Sequence, residues 1–234
     1  MKFFLSFLLF LFACPDGHTQ GYEFKFKQLY QLDSIGKSAS IAKHFGLLYL
    51  EFLELIEKEL DHSDTTTQRL VRNFEMVFAQ FYIDACSGYN CTDKTILPAW
   101  KSYFIDTTLQ PIQYKLLGAN AHLNGGLAEA IAHSYTPEEW KLVKKNYYIF
   151  NVCLNQTYKN IYKEAIKTNK RARILNILTL GLNKPVGQYH LYKWRKRQMR
   201  LTEYYYEGSP KYARLLRKIN RKKARIDKYV INLL

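Results

Sequence analysis

An imidazole flanked by two carboxamides, in the run Asn120, Ala121, His122, Leu123, Asn124, is the segment best equipped for chemistry. Histidine is the side chain whose ordinary pKa permits proton transfer near neutrality. Around it, LLGANAHLNGGLAEAIAH at residues 116–133 otherwise reads as a helix. Gly125 and Gly126 interrupt that pattern, each costing about 1 kcal/mol against alanine in a helix interior. A general base also needs an orienting partner within hydrogen-bond reach. Glu75, Tyr82 and Asp84, on an upstream amphipathic segment, are the candidates. Glu75 and Tyr82, seven residues apart, share a helix face, whereas Asp84 points away from it. The candidate catalytic set is therefore Asn120, His122, Asn124, Glu75, Tyr82 and Asp84, suited to hydrolase-like acid–base work. The alternative is that these groups make interhelical hydrogen bonds that only fix packing.

A divalent metal is a second chemistry to weigh, because His122, Glu129 and His133 fall on one helical stripe. Eleven residues rise about 16 Å, so His122 and His133 cannot share one ion. Glu129 and His133, one turn apart, supply two ligands at most. Glu59 and His62, in ELDH, form a single Glu-x-x-His. Di-iron bundles need a second copy and two further glutamates. The sequence has no GxSxG elbow, HExxH, glycine-rich phosphate loop or CxxC pair.

Gly118, Ala121, Gly125, Ala128 and Ala132 place small residues on a neighbouring face, where another helix could come close and bury the Asn-His-Asn group. LLGANAHLNGGLAEAIA, with FEMVFAQFYIDA upstream and PAW between them, resembles domain-of-unknown-function family 5995, a group of bacterial helical proteins with no established activity. The resemblance covers roughly residues 45–150. It implies that Asn120, His122 and Asn124 match the centre of the family motif, and Tyr82 and Asp84 its upstream tyrosine and aspartate. Gly126 stands where the family usually has an acidic residue, which implies an altered site if that carboxylate is a ligand or base.

These groups must be carried by helices. SIAKHFGLLYLEFLELIEKEL sets Ile41, Phe45, Leu48, Phe52, Leu55 and Ile56 on one stripe. RLVRNFEMVFAQFYIDA does the same with Phe74, Phe78, Phe81 and Ala85, and the cysteine-bearing SGYN segment is expected to end it. Pro98 starts a short helix and Pro111 a long one. Thr136, Pro137 and Glu139 form a capping box for a helix expected to reach about Ile166. Residues 169–188 read as one short helix stopped by Gly181, Pro185 and Gly187. Two basic helices follow, divided at residues 208–210, while YEFKFK at 22–27 reads as an extended arm. The expectation is an all-α, single-domain bundle of roughly seven or eight helices over residues 20–234.

Ahead of this bundle, Lys2 and the apolar run FFLSFLLFLFA have the length of an export signal, assigned to residues 1–19. The run is short for a membrane span. LFAC at 11–14 resembles a bacterial lipoprotein cleavage box, so Cys14 is either the lipid-bearing first mature residue or lies near ordinary cleavage. Either route places the protein in the periplasm or anchors it in a bacterial envelope. In that oxidising compartment Cys86 and Cys91 could close a small disulfide loop, or remain thiols.

Charge is concentrated at the C-terminal end. Between His190 and Leu234 fourteen lysines and arginines stand against Glu203, Glu207 and Asp227, giving +11 of the chain's +15. Interleaved tyrosines and Trp194 would suggest nucleic acid inside a cell. Export makes a membrane surface or an anionic envelope polymer the expected partner of the basic helices at 188–234, and nucleic acid is not expected. Tyr212, Leu215, Leu216 and Ile219 give the last helix an apolar stripe, for lipid or for the bundle itself. Two functions stay open: an exported enzyme acting at His122, and a non-catalytic envelope protein binding anionic lipid or a partner.

Overall fold

The computed structural model describes residues 19–90, 98–145 and 148–233. Residues 1–18 of the expected leader, including Cys14, and Cys91 lie outside the described residues. Ten helices and no strand make up what is described, more than the seven or eight expected.

Helix α1 (Thr19–Lys37) occupies the segment expected as an extended arm. Alternation over YEFKFK was too short a signal. Gln28, Leu32 and Gly36, spaced four apart, are buried and fix a helical period. The Gln28 amide donates to Gln80 Oε1 at 3.0 Å, tying α1 to α3.

Helix α2 (Lys43–Leu60) buries Phe45, Leu48, Phe52 and Ile56 of the expected stripe, together with Tyr49 and Leu60. Helix α3 (Thr65–Asn90) is capped by Asp64, whose carboxylate accepts from the Thr67 amide at 2.9 Å. It runs through Cys86 rather than ending before it. A 3₁₀ turn, Pro98–Trp100, leads into the short α4 (Lys101–Phe104).

Helix α5 covers 111–134 in three parts: α-helical Pro111–Asn120, a π-helical segment Ala121–Gly126, and α-helical Leu127–Ser134. Pro111 sits in its first turn, and Gln110 and Gln113 form the capping box there. This helix is the axis of the bundle, packed by α2, α3 and the last two helices. Helix α6 (Pro137–Lys145) opens on the expected capping box, Glu139 Oε2 accepting from the Thr136 amide at 3.0 Å and Thr136 Oγ1 from the Glu139 amide at 3.2 Å. Helix α7 (Tyr148–Thr168) follows, with residues 146–147 outside the description.

Helix α8 (Lys170–Leu178) is capped by Asn169, whose side chain accepts from the Ala172 amide at 2.9 Å. It ends in a Schellman turn: the Gly181 amide donates to Asn176 O at 2.9 Å and the Leu180 amide to Ile177 O at 3.0 Å. Leu180 holds the left-handed position, φ 49°, where glycine is the usual residue. A bulky side chain there costs about 1–2 kcal/mol. Leu180→Gly is therefore expected to raise stability by about 1 kcal/mol, seen as a higher thermal midpoint.

Pro185 and Gly187 were expected to end a helix. They fall instead in the opening turns of α9 (Asn183–Tyr206), because proline needs no amide partner there. Helix α10 (Lys211–Leu233) closes the chain after Gly208, φ 60°. Its stripe, Tyr212, Leu215, Leu216 and Ile219, packs with Ala128 of α5 and Leu201 of α9, so the bundle takes the face that a bilayer would have needed. Beside this small cluster, one core joins residues from Leu32 to Val230.

Candidate functional site

Gly118 and Gly125 of α5 are spacing residues. A Cβ on Gly125 would stand 2.4 Å from Ala99 Cβ, and one on Gly118 would stand 2.4 Å from Phe45 Cγ. What comes close is thus Phe45 of the long helix α2 at Gly118, as expected, and the Pro98–Trp100 turn at Gly125. Gly125→Ala is expected to cost about 1–3 kcal/mol despite alanine's better helix propensity, since Ala99 sits on backbone that must shift. The midpoint of urea unfolding measures it.

The Asn-His-Asn group faces two environments, because His122 lies about 200° round the helix from Asn120 while Asn124 lies about 40° from it. Asn120 and Asn124 turn toward α10. Asn120 Nδ2 donates to Asp227 Oδ1 at 2.7 Å and to Lys223 O at 3.1 Å, while Asn124 Nδ2 donates to Asn120 Oδ1 at 2.7 Å. Lys223 Nζ donates to Asp227 Oδ2 at 2.6 Å, and Gln198 Nε2 of α9 donates to Asn124 O at 3.1 Å. All five side chains are buried. The network clamps α9 and α10 onto α5, which is the packing role left open for these asparagines.

His122 turns the other way, into an aromatic box. Its ring stacks on Phe78 with centroids 3.4 Å apart and meets Tyr49 edge-on at 4.6 Å and Phe45 at 5.3 Å. Trp100, on the turn that Gly125 admits, lies 6.0 Å away. Neither ring nitrogen has a hydrogen-bond partner. Burial among these rings holds the imidazole pKa well below its ordinary value, so His122 is neutral.

Of the candidate partners, Glu75 is buried and accepts from Tyr49 Oη at 3.1 Å. Burial, and then the Glu75 charge, push the Tyr49 phenol well above its ordinary pKa. Glu75 is therefore joined to the box through Tyr49, a residue that sequence spacing did not select. Tyr82 is buried too, but its hydroxyl donates to Ala42 O. Asp84 is exposed and accepts from Gln80 Nε2 at 2.7 Å, outside the box.

Glu129 and His133 are exposed on the far half of α5, with His133 Nδ1 2.8 Å from Glu129 O. The structure does not bring them to His122, and His62 is likewise exposed. Among the described residues no three His, Cys, Asp or Glu side chains converge as metal ligands. Cys86 is buried beside Tyr82, and burial pushes its thiol up to about 12. The paired cysteine of the proposed disulfide, Cys91, lies outside the described residues.

A cavity of about 540 Å³ adjoins the box, walled by α2, α3, α5, α7, α9 and α10. His122, Tyr49 and Glu75 contribute to one part of its wall, Thr157 and Arg195 to others, and apolar side chains to most of the rest. Thr157 is buried and its hydroxyl has no partner. Val186, His190 and Tyr229 line the cavity and are also exposed, so it reaches the surface between α9 and α10.

Sequence reasoning missed Tyr49, Thr157, Gln198, Lys223 and Asp227. Asp227 alone carried a readable signal, as the one acid in the basic stretch 208–234 and four residues after Lys223.

Comparison with curated proteins and with solved structures finds no match. The model of a family of unknown function, DUF5995, matches residues 27–233, from α1 to the end of α10 and so well beyond the 45–150 stretch of the motifs. The chain belongs to that family.

Proposed function

We propose that this protein binds an apolar small molecule carrying a neutral hydrogen-bonding group, an alcohol or an amide, in the cavity beside His122. One observation carries this reading: the unpartnered polar atoms of His122 and Thr157 both belong to side chains that line the same apolar cavity. A buried donor or acceptor without a partner costs about 1–3 kcal/mol, so a ligand that pairs with it recovers that energy. The volume lies in the range of small-molecule sites, which are apolar with a few placed polar groups. A neutral imidazole offers one donor and one acceptor, which suits a hydroxyl. Beside the imidazole the Glu75 carboxylate disfavours an anionic head group, while the Arg195 guanidinium lies on another part of the wall.

The hydrolase-like reading lacks its base–orienter pair, since Glu75 meets Tyr49 and Tyr82 meets backbone. In the envelope compartment that the leader suggests, the fitting role is carriage or sensing of an apolar molecule.

The test compares 1-pyrenebutanol with 1-butylpyrene, two probes differing by one hydroxyl, by fluorescence titration of the full chain. The alcohol is expected to bind about tenfold more tightly. His122→Phe or Thr157→Val should reduce that preference while the hydrocarbon still binds. Equal affinities for the two probes, or a preference retained in both variants, would overturn the proposal.

A further inference from the structure

Among the described residues no helix is long and apolar enough to cross a membrane. The turn between α8 and α9 nevertheless presents an unusual surface. Ile177 is 63% exposed, Leu178 77%, Leu180 89% and Leu182 64%, four large aliphatic side chains within six residues. Ile174 and Val186 extend the patch on either side. Contiguous exposed apolar surface of this kind marks a docking site. Leu180 is the most telling member, because it occupies the left-handed Schellman position and makes no packing there that would offset the strain.

The turn is held in place. The Tyr162 hydroxyl of α7 lies between Asn176 Oδ1 and Asn183 Oδ1, one on each side of the turn, and its single proton serves either. The aliphatic side chains are thus displayed on a fixed support.

Charge identifies the occupant. From residue 165 to residue 202 the chain has ten lysines and arginines and no aspartate or glutamate. Lys170, Arg171 and Arg173 are exposed on α8 just ahead of the apolar residues, as is Lys193 on α9, and Lys184 there is half-buried. A second copy docking through this face would set two cationic rims against each other. An anionic bilayer meets both requirements, with leucines among the acyl chains and cations at the head groups.

We propose that residues 174–186 form a membrane-docking element that seats the protein on an anionic phospholipid surface. The basic C-terminal helix α10 is not the inserting segment, because its apolar stripe faces the bundle. Val186 belongs both to the patch and to the cavity wall, so docking brings the cavity opening to the lipid surface. Docking does not depend on what the cavity holds, and the two proposals fail separately.

The test places a tryptophan in the turn of the full chain, Leu180→Trp, and a control at Leu142→Trp. Leu142 is exposed on α6, whose Lys144 pairs with Glu203 near the far end of α9. That end lies about 30 Å along α9 from the turn. Each variant is mixed with vesicles of phosphatidylglycerol and brominated phosphatidylcholine, and its added emission is read against the parent chain. The emission of Leu180→Trp is expected to shift to the blue and to be quenched, that of Leu142→Trp is not, and half-molar salt should weaken binding about tenfold. No quenching at 180, or equal quenching at both positions, would overturn the proposal. A blue shift at 180 that grows with protein concentration in the absence of vesicles would assign the face to a second copy and overturn it as well.

Discussion

Asp227→Ala is expected to cost about 3–5 kcal/mol of folding stability. That is a large part of the roughly 5–15 kcal/mol that holds a typical domain together. Asp227 is 3% exposed, and its two oxygens accept from Asn120 at 2.7 Å and Lys223 at 2.6 Å. Truncation leaves the Lys223 ammonium, itself buried, without its counter-charge, and takes one acceptor from the Asn120 amide. The loss then spreads, because Asn124 is held by Asn120 and the Asn124 carbonyl is held by Gln198 of α9. The effect should appear as a lower urea midpoint with an unchanged slope. The double variant Lys223→Met/Asp227→Leu discriminates the cause: with no charge left to bury, it should recover most of the stability. Asp227→Ala within about 1 kcal/mol of the parent chain would mean that water reaches the pair and the network does not hold α10.

Legibility followed the range of the forces involved. The stripes of α2 and α3, the Thr136–Glu139 box and Pro111 in the first turn of α5 are local patterns, and the structure has them where spacing put them. Helix α1 was misread because its period is set by Gln28, Leu32 and Gly36 packing on distant helices, which six alternating residues cannot report. Pro185 was read as a stop, though proline is equally suited to a helix start; the preceding Schellman turn decides between the two. At the site, His122 was identified from residue type and the motif around it, and its partners were not. Phe78, Tyr49 and Trp100 come from three other elements, and Lys223 and Asp227 lie more than a hundred residues away. Helical spacing sets His122 about 200° round from Asn120 and returns Asn124 to within about 40° of it, so the opposite facing of the imidazole and the two carboxamides was legible, but which face would bind and which would pack was not. The structure divides those roles among them.

The same separation makes His122 a source of pH-dependent stability. Its imidazole is neutral in the folded protein because burial disfavours the cation, and no carboxylate or carbonyl partners either nitrogen to offset this. In the unfolded chain it takes up a proton near its ordinary value of 6.5. Below that pH the unfolded state binds the extra proton, so stability is present in full above about 6.5 and is lost as pH falls. The slope approaches 1.4 kcal/mol per pH unit until the depressed folded value is reached, or about 2 kcal/mol between pH 6.5 and pH 5. His44 is also lowered by burial but is only partly enclosed, and its contribution is correspondingly small. His122→Phe should therefore flatten the profile over this range. At neutral pH it should also stabilise the fold, since a phenyl ring suits the aromatic box and carries no unpaired nitrogens. Urea midpoints at pH 7.5, 6.5 and 5.0 for the parent chain and the variant make the comparison. A variant that keeps the parent slope would place the titrating group elsewhere and a hydrogen-bond partner on His122. A flattened slope with higher neutral stability means that the fold is less stable for keeping this histidine, a cost that binding in the cavity would offset.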